Sequence, residues 1–176
     1  MIDQRDRVTP RFPASKEDEV RKQIRDHILK HKLNNNYDLL GIASGACGGD
    51  IIFHEECKQL GIPTEIYLSA SPEEFKKKSV SFANSNWNER FDKLIKELPV
   101  HVLPKNYKTG TANIYESTNE WILHTILSFG GENVMLMALW DGQEGDGHGG
   151  AAHMVAIAKS QNTTVDIIDI NKILLI

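Results

Sequence analysis

The chain has 176 residues, 40% of them hydrophobic and 25% charged, with a net charge of -4 at pH 7. That length predicts a single domain, residues 1–176, whose core is large enough to need neither disulfides nor metal. The acidic balance argues against a nucleic-acid surface, and no apolar run approaches the roughly 20 residues of a membrane span.

Two cysteines, Cys47 and Cys57, fit neither a disulfide framework nor a zinc spacing. The charged start, Met1 to Arg7, lacks the apolar centre of a signal peptide. The expected setting is a reducing cytoplasm, with neither nucleic acid nor membrane as partner and a homo-oligomer compatible with the composition.

Taken in order, Pro10 and Pro13 keep the first dozen residues irregular. Ser15 reads as a helix N-cap, and Val20, Ile24 and Ile28 recur at helical spacing over 16–32, ended by Asn34-Asn35-Asn36. Apolar runs and helical patterns then alternate. Strands are predicted at 38–43, 64–68, 100–103, 133–139 and 163–168, and helices at 50–60, 72–78, 86–98, 112–129 and 150–160. Lys76-Lys77-Lys78 reads as a solvated helix face.

Strands apolar on both faces and separated by helices predict a parallel sheet covered on both sides. The expected architecture is α/β, a three-layer Rossmann-like sandwich with a mainly parallel sheet of about five strands. A doubly wound sheet normally opens with a strand. This chain opens with a loop and a helix, so that first strand is missing from the pattern.

Two glycine-rich turns join strand to helix: Ser44-Gly45-Ala46-Cys47-Gly48-Gly49-Asp50, and Asp141 to Gly150, which includes Gly147, His148 and Gly149. Such turns aim backbone N–H groups at an anion. Neither is a dinucleotide fingerprint or a Walker A loop. Both also fit a tight connection with no ligand. Cys47 at a helix start is a candidate for a lowered thiol pKa, or a small residue chosen for fit.

The remaining candidates sit beside these turns. Asp141, at a strand's C-terminal edge, could accept from ribose or base hydroxyls, or simply form a turn. His148 and His153 flank the next helix and could touch a phosphate or move a proton, or be plain surface residues. Asn119 shares a helix face with Tyr115 and Ile122 and needs a partner if buried. Glu116, near the start of that helix, is the best general acid or base. His27 and His31 have the i, i+4 spacing of zinc ligands, but no third ligand is signposted, so neither metal nor cofactor is expected.

The run Gly45 to Glu55 resembles a group of bacterial Rossmann-like domains often appended to signalling proteins. Glu74-Phe75, Ser79-Val80, Trp87, Arg90, Phe91, Trp140-Asp141-Gly142, Gly149-Gly150, Met1-Ile2-Asp3 and Arg11-Phe12-Pro13 share that likeness. More distantly the layout is similar to the SLOG superfamily, with its Lonely Guy phosphoribohydrolases and DNA-processing protein A, and to nucleoside deoxyribosyltransferases. The Lonely Guy pattern pairs an Arg-Asn on one helix with a P-G-G-x-G-T-x-x-E turn. Asn119 matches the Asn and Gly149-Gly150 the glycine pair. Thr118 stands where the Arg would be, Ala151 and Ala152 replace the next small positions, and no Glu follows.

The resemblance implies binding of a nucleotide or nucleotide-derived ligand in bacterial signalling or defence. Ser44, Gly45, Gly48 and Gly49 would form one wall, and Asp141, His148, Gly149 and Gly150 the other, with Asn119 beneath. Two further functions are compatible with the residues. One is an N-glycosidase using Glu116 and Asp141 as its carboxylates. The other is a scaffold for protein contacts.

Overall fold

A computed structural model describes residues 1–4, 7–34, 38–83, 85–107, 110–111, 113–145 and 148–175. Asn35 and Asn36 of the expected helix stop, together with Tyr37, Ala112, Asp146 and Gly147 of the expected elements and turns, lie outside them.

The elements follow in order α1 (Glu17–Asn34), β1 (Gly41–Ala43), α2 (Gly49–Gln59), β2 (Thr64–Leu68), α3 (Pro72–Ser79), α4 (Ser85–Glu97) and β3 (Val100–Val102). Then come α5 (Ile114–Leu127), β4 (Met135–Trp140), α6 (Ala151–Ser160), β5 (Thr164–Asp169) and α7 (Ile170–Leu174). Ser15 lies inside a short 3-10 turn that leads into α1, so it is not the cap the spacing suggested. In α3, Ser71 caps the amide of Glu74, and Pro72 occupies the first turn, where its missing N–H costs nothing.

All pairings are parallel: β1 with β2, β2 with β3, and β4 with β5. The architecture is therefore the expected α/β one, with a difference in the sheet. The five strands form a three-stranded sheet, β1-β2-β3, and a separate two-stranded sheet, β4-β5. No ladder joins β1 to β4 among the described residues.

Helices bridge the two sheets. Helix α5 packs on β1 and β2 and against α6, which in turn covers β4 and β5. Helix α2 covers β1 and β2 and packs against α1. Right-handed crossovers running β1→β2→β3 and then back to β4 put α2 and α5 on opposite faces. One hydrophobic cluster spans both sheets, from Ile51, Ile52, Ile66, Leu68, Trp87 and Phe91 to Ile168, with Met137 and Leu139 packed against it.

Ion pairs fasten the face carrying α1. Glu56, 1% exposed, accepts from Arg21 and Arg25, while Arg90 grips Glu55 with two nitrogens at 2.7 Å and lies over the Trp87 ring. At the other end of α1, His27 Nδ1 and His31 Nε2 approach one oxygen of Asp166 at 2.8 and 2.6 Å. These are hydrogen-bond distances, and among the described residues no group of three His, Cys, Asp or Glu is placed to hold a metal. No helix there is long and apolar enough to cross a membrane.

Candidate ligand site at the rim

Both glycine turns lie at one rim. An added Cβ on Gly49, after β1, would sit 3.5 Å from Leu139 of β4. Arg11 and Phe12 bridge the two turns: Phe12 packs at Gly48, and Arg11 holds Asp141. The turns are nonetheless very different in what they leave open.

The chain itself fills the first turn. Gly48 adopts φ 110°, and a Cβ there would meet the backbone nitrogen of Ile2 at 2.8 Å. A Cβ on Gly45 would meet the Phe91 ring at 2.9 Å. The Cys47 amide donates to the Ser79 carbonyl, the Ala46 amide to Asp50, and the Cys47 carbonyl accepts from Ile2. Even the Ser44 carbonyl is taken, by His54 Nε2 at 2.9 Å. Of the wall expected from Ser44, Gly45, Gly48 and Gly49, internal packing accounts for the small size of Gly45 and Gly48, while Gly49 makes only ordinary contact with Leu139. Burial also pushes the Cys47 thiol up to about 11, away from the lowered value a helix start can produce.

Asp141 is likewise engaged. Its carboxylate takes a two-point grip from the Arg11 guanidinium and the Gln143 amide at 3.0 Å, leaving its side chain 9% exposed. Burial alone would raise its pKa, but Arg11 outweighs it and holds the group below the usual carboxylate range. Asp141 anchors the strap of residues 11–12 to the end of β4, so it is not a free carboxylate awaiting a sugar.

Among the described residues, the second turn is the more open of the two where it meets α5. Asn113 caps α5 by accepting from the amides of Tyr115 and Glu116, at 2.9 and 3.3 Å. Glu116 Oε2 accepts from the Thr111 hydroxyl at 2.6 Å, and Oε1 lies 2.9 Å from His148 Nδ1. The Thr111 hydrogen bond, then His148, holds the Glu116 carboxyl below its ordinary pKa, so it is ionised at neutral pH. His148 itself is 73% exposed.

Beneath this pair, Asn119 Nδ2 donates to the Gly149 carbonyl at 2.7 Å and lies 3.3 Å from His153 Nδ1. Asn119 therefore finds its partner in the turn, which it ties to α5. Gly149, at φ 73°, presses on the backbone of Tyr115 and Glu116. Gly150 is the N-cap of α6 and brings no capping side chain, and among the described residues nothing lies within 4 Å of where its Cβ would be.

Of the expected site residues, Glu116, Asn119, His148, Gly149 and Gly150 thus converge at the junction of α5 and α6. Thr111 was not among them. Its signal was faint, a lone hydroxyl five residues ahead of Glu116. No family model matches the chain, and comparison with curated proteins and with solved structures gives no match.

Proposed function

We propose that the α5–α6 junction binds a nucleotide or nucleotide-derived ligand, as a sensing or processing domain in a signalling or defence setting. The observation that carries this reading is the Glu116 carboxylate and His148 imidazole, 2.9 Å apart, beside a helix start whose N-cap, Gly150, has no side chain. A phosphate would lie against the first amides of α6, where backbone donors and the helix dipole favour an anion. Glu116 would accept from a sugar hydroxyl or a base, and Asn119 would keep the Gly149 turn in place beneath.

A panel of nucleoside mono-, di- and triphosphates at millimolar concentration, read as a shift in melting temperature, tests this. A ligand at 100 times its Kd stabilises by about 2.7 kcal/mol, which is readily measured. Unchanged melting across the panel overturns the reading.

The state of Glu116 favours a second reading, cleavage of a nucleotide's N-glycosidic bond. A carboxylate held ionised suits stabilisation of the positive charge that develops at C1′. As the C1′–N bond breaks, its electron pair leaves with the base, His148 supplies the base's proton, and water adds to C1′, its surplus proton returning to His148. Free base should then accumulate from nucleoside monophosphates, and Glu116→Gln, whose amide oxygen can still accept from the ligand, should stop release while a reduced melting shift remains. Binding without release leaves the sensor reading alone.

A further inference from the structure

Two imidazoles and two side chains of α5 meet at the α5–α6 junction, and their pairing fixes where each ring carries its proton. Glu116 and Asn119 stand three residues apart on α5. Each holds one histidine by its Nδ1: Glu116 holds His148 at 2.9 Å, and Asn119 holds His153 at 3.3 Å. The two holders have opposite chemistry. An ionised carboxylate only accepts hydrogen bonds, whereas an amide nitrogen only donates them.

Proton positions follow from these partners. The Gly149 carbonyl, 2.7 Å from Asn119 Nδ2, demands a donor, so the Asn119 amide is turned with its nitrogen toward the turn and its second N–H toward His153. His153 Nδ1 is then the bare nitrogen, and the ring's proton sits on Nε2. At His148 the order is reversed. Glu116 takes the proton of Nδ1, and in the neutral ring Nε2 is bare. His153 lies in the first turn of α6, and its ring leans back to the helix start, as helical side chains do. The one Asn119 nitrogen that reaches both the Gly149 carbonyl and His153 Nδ1 shows how close to that start the ring sits. Among the described residues His153 Nε2 has no hydrogen-bond partner.

We infer that α5 sets the two histidines of this site in opposite tautomers, and that His153 Nε2–H is the donor that receives the ligand's phosphate, with Asn119 as its positioning residue. The phosphate assignment rests on the nucleotide reading above; the tautomers rest on the hydrogen bonds alone. The site then offers a donor at the start of α6 and acceptors at Glu116 and His148 Nε2. Phosphate oxygens, which only accept, match the first. Sugar hydroxyls and base amino groups, which donate, match the second. A ligand turned end for end would set lone pair against lone pair.

Imidazole 15N–1H NMR of the labelled protein at about pH 8 reads the tautomers directly, because bare and protonated ring nitrogens resonate far apart. His153 should give the Nε2–H pattern and His148 the Nδ1–H pattern. Asn119→Asp replaces donor by acceptor and should move the His153 proton to Nδ1, whereas Asn119→Ala should release the ring to a mixture of both forms. Both variants lose the tie to Gly149, so their difference reports the imidazole alone. A nucleoside monophosphate that shifts the melting temperature should also move the His153 Nε2 signal, and its parent nucleoside should not. His153→Gln, whose amide N–H reaches the Nε2 position, should keep affinity within about threefold, while His153→Asn, which replaces only Nδ1, should weaken it about tenfold, as expected for one lost hydrogen bond. An Nδ1–H pattern at His153 in the unaltered protein overturns the inference whatever binds. So does a melting shift that leaves the Nε2 signal in place, or equal losses in the Gln and Asn variants, and in these cases the nucleotide reading stands. No melting shift from any nucleotide overturns that reading and the phosphate assignment with it, while the tautomers are still judged by their own spectrum.

Discussion

Gly149→Ala is the sharpest probe of how the site is held together. Gly149 sits at φ 73°, where a side chain strains the backbone by about 1–2 kcal/mol. The new Cβ would also lie 2.6 Å from the Tyr115 carbonyl carbon and 2.8 Å from the Glu116 nitrogen. Those are backbone atoms at a capped helix start, so relief requires moving the turn away from α5, at roughly 1–3 kcal/mol by analogy with overpacked cores. The total is about 2–5 kcal/mol, or roughly 5–15 °C in melting temperature for a chain this size. Urea unfolding followed by circular dichroism should show a lower midpoint at unchanged slope. Gly150→Ala is the control, with φ −74° and empty space at its Cβ. It should cost no more than about 1 kcal/mol, for poorer capping. If the two variants match within about 0.5 kcal/mol, the close approach of turn and helix is not what places Gly149 here.

Other outcomes follow from the same structure. Gly150→Ser should cap α6, stabilise the fold by a few tenths of a kcal/mol (about 0.3), and weaken any nucleotide-induced melting shift; an undiminished shift would place the ligand elsewhere. Arg21→Met removes one of the two arginines on the buried Glu56 carboxylate and should cost about 1–3 kcal/mol in urea unfolding, limited because Arg25 remains. Asp166, opposed by burial but held down by His31 and His27, and Glu55, likewise opposed by burial but held down by Arg90 and Arg21, both lie below their ordinary pKa values. Their stabilisation is therefore complete above the usual carboxylate range and is lost as pH falls through the lower folded values, so melting temperature should drop below about pH 4. Asp166→Asn should flatten part of that acid limb, and an equal effect at pH 3 and pH 6 would contradict the assignment. Burial pushes Cys47 and Cys57 up to about 11 and about 12. Neither should take up iodoacetamide at pH 8 until the chain unfolds, as mass spectrometry would register.

The elements were largely legible in the sequence because periodicity reports which faces are buried. Strand β2 matches its expected range, and the helices and other strands fall within a few residues of theirs. Helix α7 was hidden, because Ile170, Ile173 and Leu174 continue the apolar run of β5 and only the Asp169 cap, accepting from the Asn171 amide, marks the change. The glycines were legible as places needing close approach, but not in what approaches them. At Gly48 it is Ile2, forty-six residues away; at Gly149 it is the start of α5. In sequence, a residue made small for a ligand and one made small for the chain's own backbone look alike.

The sequence by itself determined the alternation of strands and helices, their parallel arrangement, and the pair of turns at the strand ends, since all of these depend on local pattern and on polarity along the chain. Which turn stays open was decided only by the tertiary structure. Ile2 and Phe12 close the first turn and Arg11 clamps Asp141, while α5 brings Glu116 to His148 across thirty-two residues. The division of the strands into two sheets is of the same kind. A ladder forms or fails between segments far apart in the chain, and no local spacing records which.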